Sequence, residues 1–217
     1  MKWVLRLIVV AALVVLALRW VNPPLNYYQA SEWWRLGSFD RDWVAMEEIA
    51  PDMARAVVAA EDANYCLHWG VDVDAVREVI ESGSNRGAST ITQQVAKNVF
   101  LWHGRSFVRK GLEAGFAVAI EAAWGKRRIL EVYLNVAELD GGVFGVEAAA
   151  DHYFGVSAGD LSLAQASRLA AILPDPKERS ASRPSAFVKK RATGIANGAQ
   201  TIAKDGRADC FEGVDGG

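Results

Sequence analysis

The chain has 217 residues, 51% of them hydrophobic, and a formal charge of −2. That length holds one well-cored domain rather than two, and that apolar share excludes a disordered chain. A near-neutral total excludes bulk attraction to nucleic acid, so no nucleic-acid partner is expected.

The N-terminus carries the strongest compositional signal. Leu7 to Leu18 reads LIVVAALVVLAL, apolar throughout. If Arg6 and Arg19 snorkel, Trp3 to Val21 offers 19 residues, close to the ~20 that span a bilayer. Trp3 and Trp20 stand near the two ends, where aromatic belts belong. A cleaved signal peptide is the rival reading, but ALRW is a poor small-residue cleavage site. Lys2 and Arg6 favour a cytoplasmic N-terminus. The expected organisation is an uncleaved anchor over 1–21, a membrane-proximal linker over 22–39 that includes the stiff NPP, and one domain over 40–217 outside the cytoplasm.

Beyond the anchor the pattern is helical nearly throughout. Apolar periodicity and caps predict helices over 51–62, 72–82, 90–101, 107–123, 126–138, 145–152, 162–173 and 184–204. Asp72 and Ser162 stand as N-caps, Pro174 and Pro176 stop one helix, and Pro184 opens the next. No stretch alternates at period two long enough to demand a sheet. The expected fold class is therefore mainly α.

Four stretches carry candidate chemistry. The first is EDANYCLHWGVD (61–72), which ends the apolar run MARAVVAA with two acids. Acids and turn residues close helices everywhere, but a carboxylate at the end of a buried helix is also what a catalytic base requires. The second is RGASTITQQVAKNVF (86–100). On a helix from Thr90, one half carries Ile91, Val95, Ala96, Val99 and Phe100, and the other Thr90, Gln93, Gln94, Lys97 and Asn98. A solvated face is normally rich in Glu and Lys, whereas amides suit sugar hydroxyls and acetamido groups, and a lysine suits phosphate. Gly87, Ala88 and Ser89 before it offer backbone N–H groups at a helix N-terminus. An ordinary exposed face with a Gly-Ser cap is the plainer alternative.

The third stretch spaces Arg105, Arg109 and Glu113 four apart, so on one helix they share a face; a local ion pair explains that as well as a site does. Glu121 continues the stripe and reads as structural. From Lys97 to Arg128, seven basic residues (Lys97, Arg105, Arg109, Lys110, Lys126, Arg127, Arg128) stand against Glu113 and Glu121. That local excess suggests an anionic ligand. The fourth, GKRRILEVYLNVAE, spaces Ile129, Leu130, Tyr133 and Leu134 as core. The three histidines, His68, His103 and His152, lie at non-metal spacings and no CxxC pair exists, so a zinc site is not expected. Cys66 and Cys210 are the only cysteines. In an oxidising compartment the two could bridge and tie the tail to the segment beside Glu61.

Taken in order, Glu61-Asp62-x-x-Tyr65-x-x-His68-x-Gly70-x-Asp72, then GASTITQQVAKN, then Arg109-Lys110-x-x-Glu113 and Ile129-Leu-Glu-x-Tyr133-Leu-Asn135, resemble the signature motifs of the peptidoglycan glycosyltransferases of family 51. Order and spacing match from about residue 40 to 175. Tyr65 stands where that family usually has Phe, Ala88 where a second Gly is common, and Gly125 where Ser precedes Lys126. The resemblance implies a lysozyme-like helical domain on a single-pass anchor in the bacterial inner membrane, its catalytic part periplasmic. The implied reaction polymerises lipid II into a β-1,4 glycan strand, releasing undecaprenyl pyrophosphate with inversion.

On this resemblance Glu61 is the general base and Glu113 the second catalytic glutamate, either orienting cations or helping to hold a divalent cation, magnesium or manganese, at the pyrophosphate. No obligatory cofactor is implied. Arg86, Ser89, Thr90, Gln93, Gln94, Lys97, Asn98, Arg105 and Arg109 are the implied substrate-binding residues. The partners are lipid II, the growing glycan strand, membrane lipid and other cell-wall synthesis proteins. A membrane-bound lysozyme-like lytic transglycosylase is the rival enzyme, and a catalytically silent tethered scaffold the rival of another class. Neighbouring residues at a helix end point about a hundred degrees apart, so Asp62 is expected to turn away from the hydroxyl that Glu61 faces and to bond nearby backbone.

Overall fold

The computed structural model describes residues 2–82, 89–104 and 106–213. Arg86 and Arg105, together with Gly87 and Ala88, lie outside the described residues. The helices are α1 (Lys2–Ala17), α2 (Tyr27–Leu36), α3 (Pro51–Glu61), α4 (Val73–Ser82), α5 (Ile91–Phe100), α6 (Phe107–Ala123), α7 (Lys126–Val136), α8 (Val146–Phe154), α9 (Leu163–Ile172), α10 (Ala186–Asp205) and α11 (Asp209–Glu212). The mainly helical expectation holds.

Two layers position the site. In one, α3 packs against α9 and α10; in the other, α5 packs against α6 and α7. Helix α3 opens with Pro51, whose fixed φ suits a first turn, and buries Met53, Ala54, Ala56, Val57 and Val58. Helix α5 buries Ile91, Val95 and Ala96. Gly198 brings α10 close to α3, since a Cβ there would stand 3.1 Å from the Ala59 methyl.

Two local features depart from the sequence reading. A three-stranded sheet is present: β1 (Asp40–Arg41) runs parallel to β3 (Val143–Phe144), which pairs antiparallel with β2 (Glu138–Asp140). Strands of two or three residues are too short for alternation to show. The stretch expected as linker also contains α2. Asn26 and Gln29 form its capping box, and Gly37 ends it in the left-handed region.

Helix α1 ends at Ala17, short of the span expected from Trp3 to Val21, and its 16 residues extend only about 24 Å. Among the described residues no helix is long and apolar enough to cross a membrane. Its C-terminal end is fastened to the domain. Trp124 Nε1 donates to the Val15 carbonyl at 2.7 Å, and Arg128 donates to the carbonyls of Leu18 (3.2 Å) and Val21 (3.0 Å). These contacts occupy carbonyls that a helix terminus leaves without intrahelical partners. At the other terminus Cys66 and Cys210 form a disulfide, as the sequence allowed. Arg55 grips Glu212 with Nε and Nη2 at 2.6 and 2.8 Å, and Phe211 is fully buried.

Candidate active site

Glu61 is the last residue of α3 and Asp62 its C-cap. Their carboxylates part company as expected. Asp62 Oδ1 accepts from His68 Nε2 at 2.8 Å, and Oδ2 accepts the Ile91 backbone N–H at 3.0 Å. Asp62 thereby ties the end of α3 to the start of α5. Glu61 instead opens to a cleft of about 850 Å³, lined also by Ala59, Glu78, Ser89, Lys97 and Arg191. Its side chain is 15% exposed. Oε2 accepts from Gln94 Nε2 at 3.0 Å, and the Tyr133 hydroxyl donates to Gln94 Oε1 at 3.2 Å, fixing the amide's orientation. Burial pushes the Glu61 carboxyl above the ordinary carboxylate range, opposed by the Gln94 hydrogen bond and the charges of Arg191 and Lys97. A carboxylate raised in this way is a stronger proton acceptor than an exposed one.

Helix α5 departs from the sequence reading at the start of its polar face. Thr90 and Gln93, expected to face substrate, are buried in a capping box: Gln93 Oε1 accepts the Thr90 N–H at 3.1 Å and Thr90 Oγ1 accepts the Gln93 N–H at 3.2 Å. The Thr90 hydroxyl also donates to the Gly70 carbonyl at 2.6 Å. Their polar groups are committed to holding the helix start, which corrects the substrate-facing assignment for these two. Gln94, Lys97 and Asn98 do face open space, and they also line a smaller cavity of about 160 Å³ bounded by Tyr28 and His103.

Lys97 makes no ion pair with any described acid, and burial holds its ammonium below the ordinary lysine range. Helix α6 supplies the neighbouring charges. Arg109 Nη1 pairs with Glu113 Oε2 at 2.6 Å, and Lys110 pairs with Glu113 Oε1 while also reaching the Ser89 hydroxyl at 2.9 Å. Arg109 Nε further donates to the Gly104 carbonyl at 2.8 Å. Glu113 is thus buried with both oxygens taken by cations. Among the described residues no three His, Cys, Asp or Glu come together. Both Glu113 oxygens are committed to Arg109 and Lys110, so neither is left free for a divalent cation.

Lys126, Arg127 and Arg128 serve the structure. Lys126 pairs with Glu121 at 2.7 Å and donates to the His68 carbonyl at 2.8 Å, bracing the loop after Asp62. Arg127 pairs with Glu47 and Arg128 with Glu131. Glu121, which also accepts from Thr92 at 2.6 Å, is structural as read.

Sequence reasoning missed Tyr133, Arg191, Tyr28 and His103 as parts of the site. Tyr133 showed only core spacing, since its ring is buried and the hydroxyl alone reaches Gln94. Arg191 lies in a basic run, KKR, with no spacing to any other motif. Tyr28 packs tilted against His103 with ring centroids 3.8 Å apart and donates to Glu138 at 2.5 Å. Burial pushes the Tyr28 hydroxyl up to about 12 and the His103 imidazole down to about 4, so neither ring carries charge at neutral pH.

A family model described as Transglycosylase matches residues 30–200. Among similar proteins, a biosynthetic peptidoglycan transglycosylase of Jannaschia sp. (strain CCS1) is 59% identical over 191 residues, covering 88% of this chain and 80% of its own. One of Pseudomonas savastanoi pv. phaseolicola is 52% identical over 192 residues, 84% of this chain and 81% of its own. One of Caulobacter vibrioides is 46% identical over 212 residues, 95% of this chain and 93% of its own. With a helix-end carboxylate in a cleft beside a lysine that has no ion-pair partner among the described residues, and with likeness over nearly the whole length, the chain is an enzyme that belongs to the transglycosylase family.

Proposed function

We propose that this peptidoglycan glycosyltransferase polymerises lipid II, with Glu61 as general base. The observation that carries the reading is the Glu61 carboxylate, mostly buried, held by Gln94 and open to a cleft that Lys97 also lines. Glu61 takes the proton of the acceptor's 4-hydroxyl as that oxygen attacks the donor's anomeric carbon from the face opposite the leaving group. The carbon–oxygen bond to undecaprenyl pyrophosphate breaks with inversion, and the leaving electron pair stays on the pyrophosphate. Lys97, which has no ion-pair partner among the described residues, stabilises that developing charge, with Arg109 behind it. Gln94, Asn98 and Ser89 bind the sugars. A lytic enzyme would have no use for cations at this place.

Attachment to the bacterial inner membrane, with the domain on the periplasmic side, accords with the apolar surface. Trp3, Leu5, Leu7 and Ile8 of α1 are exposed, and so are Phe107 (99%), Val108 and Leu112 of α6, the helix on which α1 packs. Together with the turn that follows α1 as far as Val21, this surface suits insertion into lipid. Protease added to spheroplasts should digest the domain; full protection would contradict this topology.

Incubating the purified full chain with lipid II tests the reaction. Polymer is expected from the wild type, and Glu61→Gln should lower turnover by ~10²–10⁴ while retaining lipid II binding. Fragments released from sacculi without polymerisation would identify the lytic reaction. Robust polymer synthesis by a folded Glu61→Gln protein would refute the role of Glu61.

A further inference from the structure

The cleft wall opposite α5 carries a cation that no motif announced. Arg191 lies on α10, and its Nη2 stands 3.5 Å from Glu61 Oε1, the oxygen that Gln94 leaves open. Its side chain is 31% exposed, its Nε is buried without a hydrogen-bond partner, and it enters no other ion pair among the described residues. The guanidinium is therefore carried to Glu61 by the packing of α10 on α3, not by a fork of hydrogen bonds of its own.

We propose that Arg191 is a positioning residue for glycosyl transfer, holding Glu61 ionised and directing its free oxygen into the cleft. The proposal rests on Glu61 being the base. Among the described residues the groups around Glu61 come from five helices, α3, α4, α5, α7 and α10, while α9, which also packs on α3, brings none to its carboxylate. Asp62 follows it on α3, with its carboxylate turned to His68 and Ile91; α5 brings Gln94 and Lys97; α7 brings Tyr133 through Gln94; α4 brings Glu78 to the cleft; α10 brings Arg191. Burial and the Asp62 charge favour the protonated acid, while Gln94, Arg191 and Lys97 favour the carboxylate. Of the two cations, Lys97 also feels the Glu113, Arg109 and Lys110 group on α6 and is assigned to the leaving pyrophosphate. Arg191 has Glu61 as its one described ionic partner, so it remains available to the base throughout the reaction.

The sign follows from the charge. A protonated Glu61 accepts nothing, so the rate falls on the acid side; removing the Arg191 charge moves that limb to higher pH. The test measures kcat/KM for lipid II polymerisation by the full chain from about pH 5 to pH 9, for wild type, Arg191→Gln, Arg191→Lys and Glu61→Gln. Arg191→Gln is expected to lose about tenfold at the acid end, as loss of one nearby opposite charge typically does, and the loss should shrink as pH rises. Arg191→Lys should recover most of it. Arg191→Met serves as a second neutral variant should the glutamine protein fail to fold. A neutral variant whose profile runs parallel to wild type, reduced by the same factor at every pH, or whose acid limb is unmoved, overturns the proposal. If Glu61→Gln is inactive and the limb is unmoved, this inference alone fails. If folded Glu61→Gln polymerises well, the base assignment fails and takes the inference with it.

Discussion

Asp62 stands beside the base, so truncating it separates a clamp from a catalyst. Its side chain is 3% exposed and accepts two hydrogen bonds, from His68 Nε2 and from the Ile91 N–H. Asp62→Ala would leave the N–H of the fully buried Ile91 unpaired. It would also strip the His68 ring of its hydrogen bond, since Nδ1 already has no partner among the described residues. Each buried group left unsatisfied costs about 1–3 kcal/mol, partly offset by no longer burying a carboxylate, so a net loss of roughly 3 kcal/mol is expected. For a chain of this size that lowers the melting temperature by about 6–12 °C. Asp62→Asn keeps an oxygen for the Ile91 N–H and should lose about half as much. Thermal unfolding in detergent, with polymerisation measured well below the transition, reads both effects. Asp62→Ala melting within about a degree of wild type would refute the clamp. Folded Asp62→Asn as inactive as Glu61→Gln would refute the division of roles between the two acids.

Three further outcomes are expected. Burial raises the Glu61 carboxyl, so the folded state holds a proton that the unfolded chain would release; its contribution to stability is full on the acid side and lost as pH rises through the raised value. Glu61→Gln should therefore melt above wild type at about pH 8, with the gap narrowing towards pH 4, and equal melting at both would contradict this. The disulfide joins residues 144 apart in sequence, which in the chain-entropy model stabilises by about 5 kcal/mol; Cys66→Ser with Cys210→Ser should shift the denaturant midpoint down markedly, whereas two free thiols in unreduced, denatured wild type would disprove the pairing. Asn135 is fully buried and bonds both the N–H and the carbonyl of Val44 at 2.9 Å. Asn135→Ala should cost about 2–4 kcal/mol in denaturant unfolding, and a change under about 1 kcal/mol would show that pairing to be dispensable.

What the sequence determined by itself was local and periodic. The end of α3 at Glu61, the core stripe of Ile91, Val95 and Ala96, and the four-residue spacing of Arg109 and Glu113 all follow from relations within one or two helical turns. The divergence of Glu61 and Asp62 follows from the same geometry. Even the disulfide needed only a count of cysteines. Tertiary structure decided the rest, because it joins residues between which no periodicity runs. It turned Thr90 and Gln93 inward, since α5 starts beneath the Gly70 loop and its first turn must be capped inside the protein. It spent Lys126, Arg127 and Arg128 on ion pairs and left Lys97 without one among the described residues, although a charge count weighs all four alike. It brought Tyr133 to Gln94, and Arg191 to Glu61 from far along the chain, through the packing of α10 on α3. A helix's sequence reports which face it buries, but the partner on the other side of that face, and hence the charge a buried carboxylate meets, is set only when the helices dock.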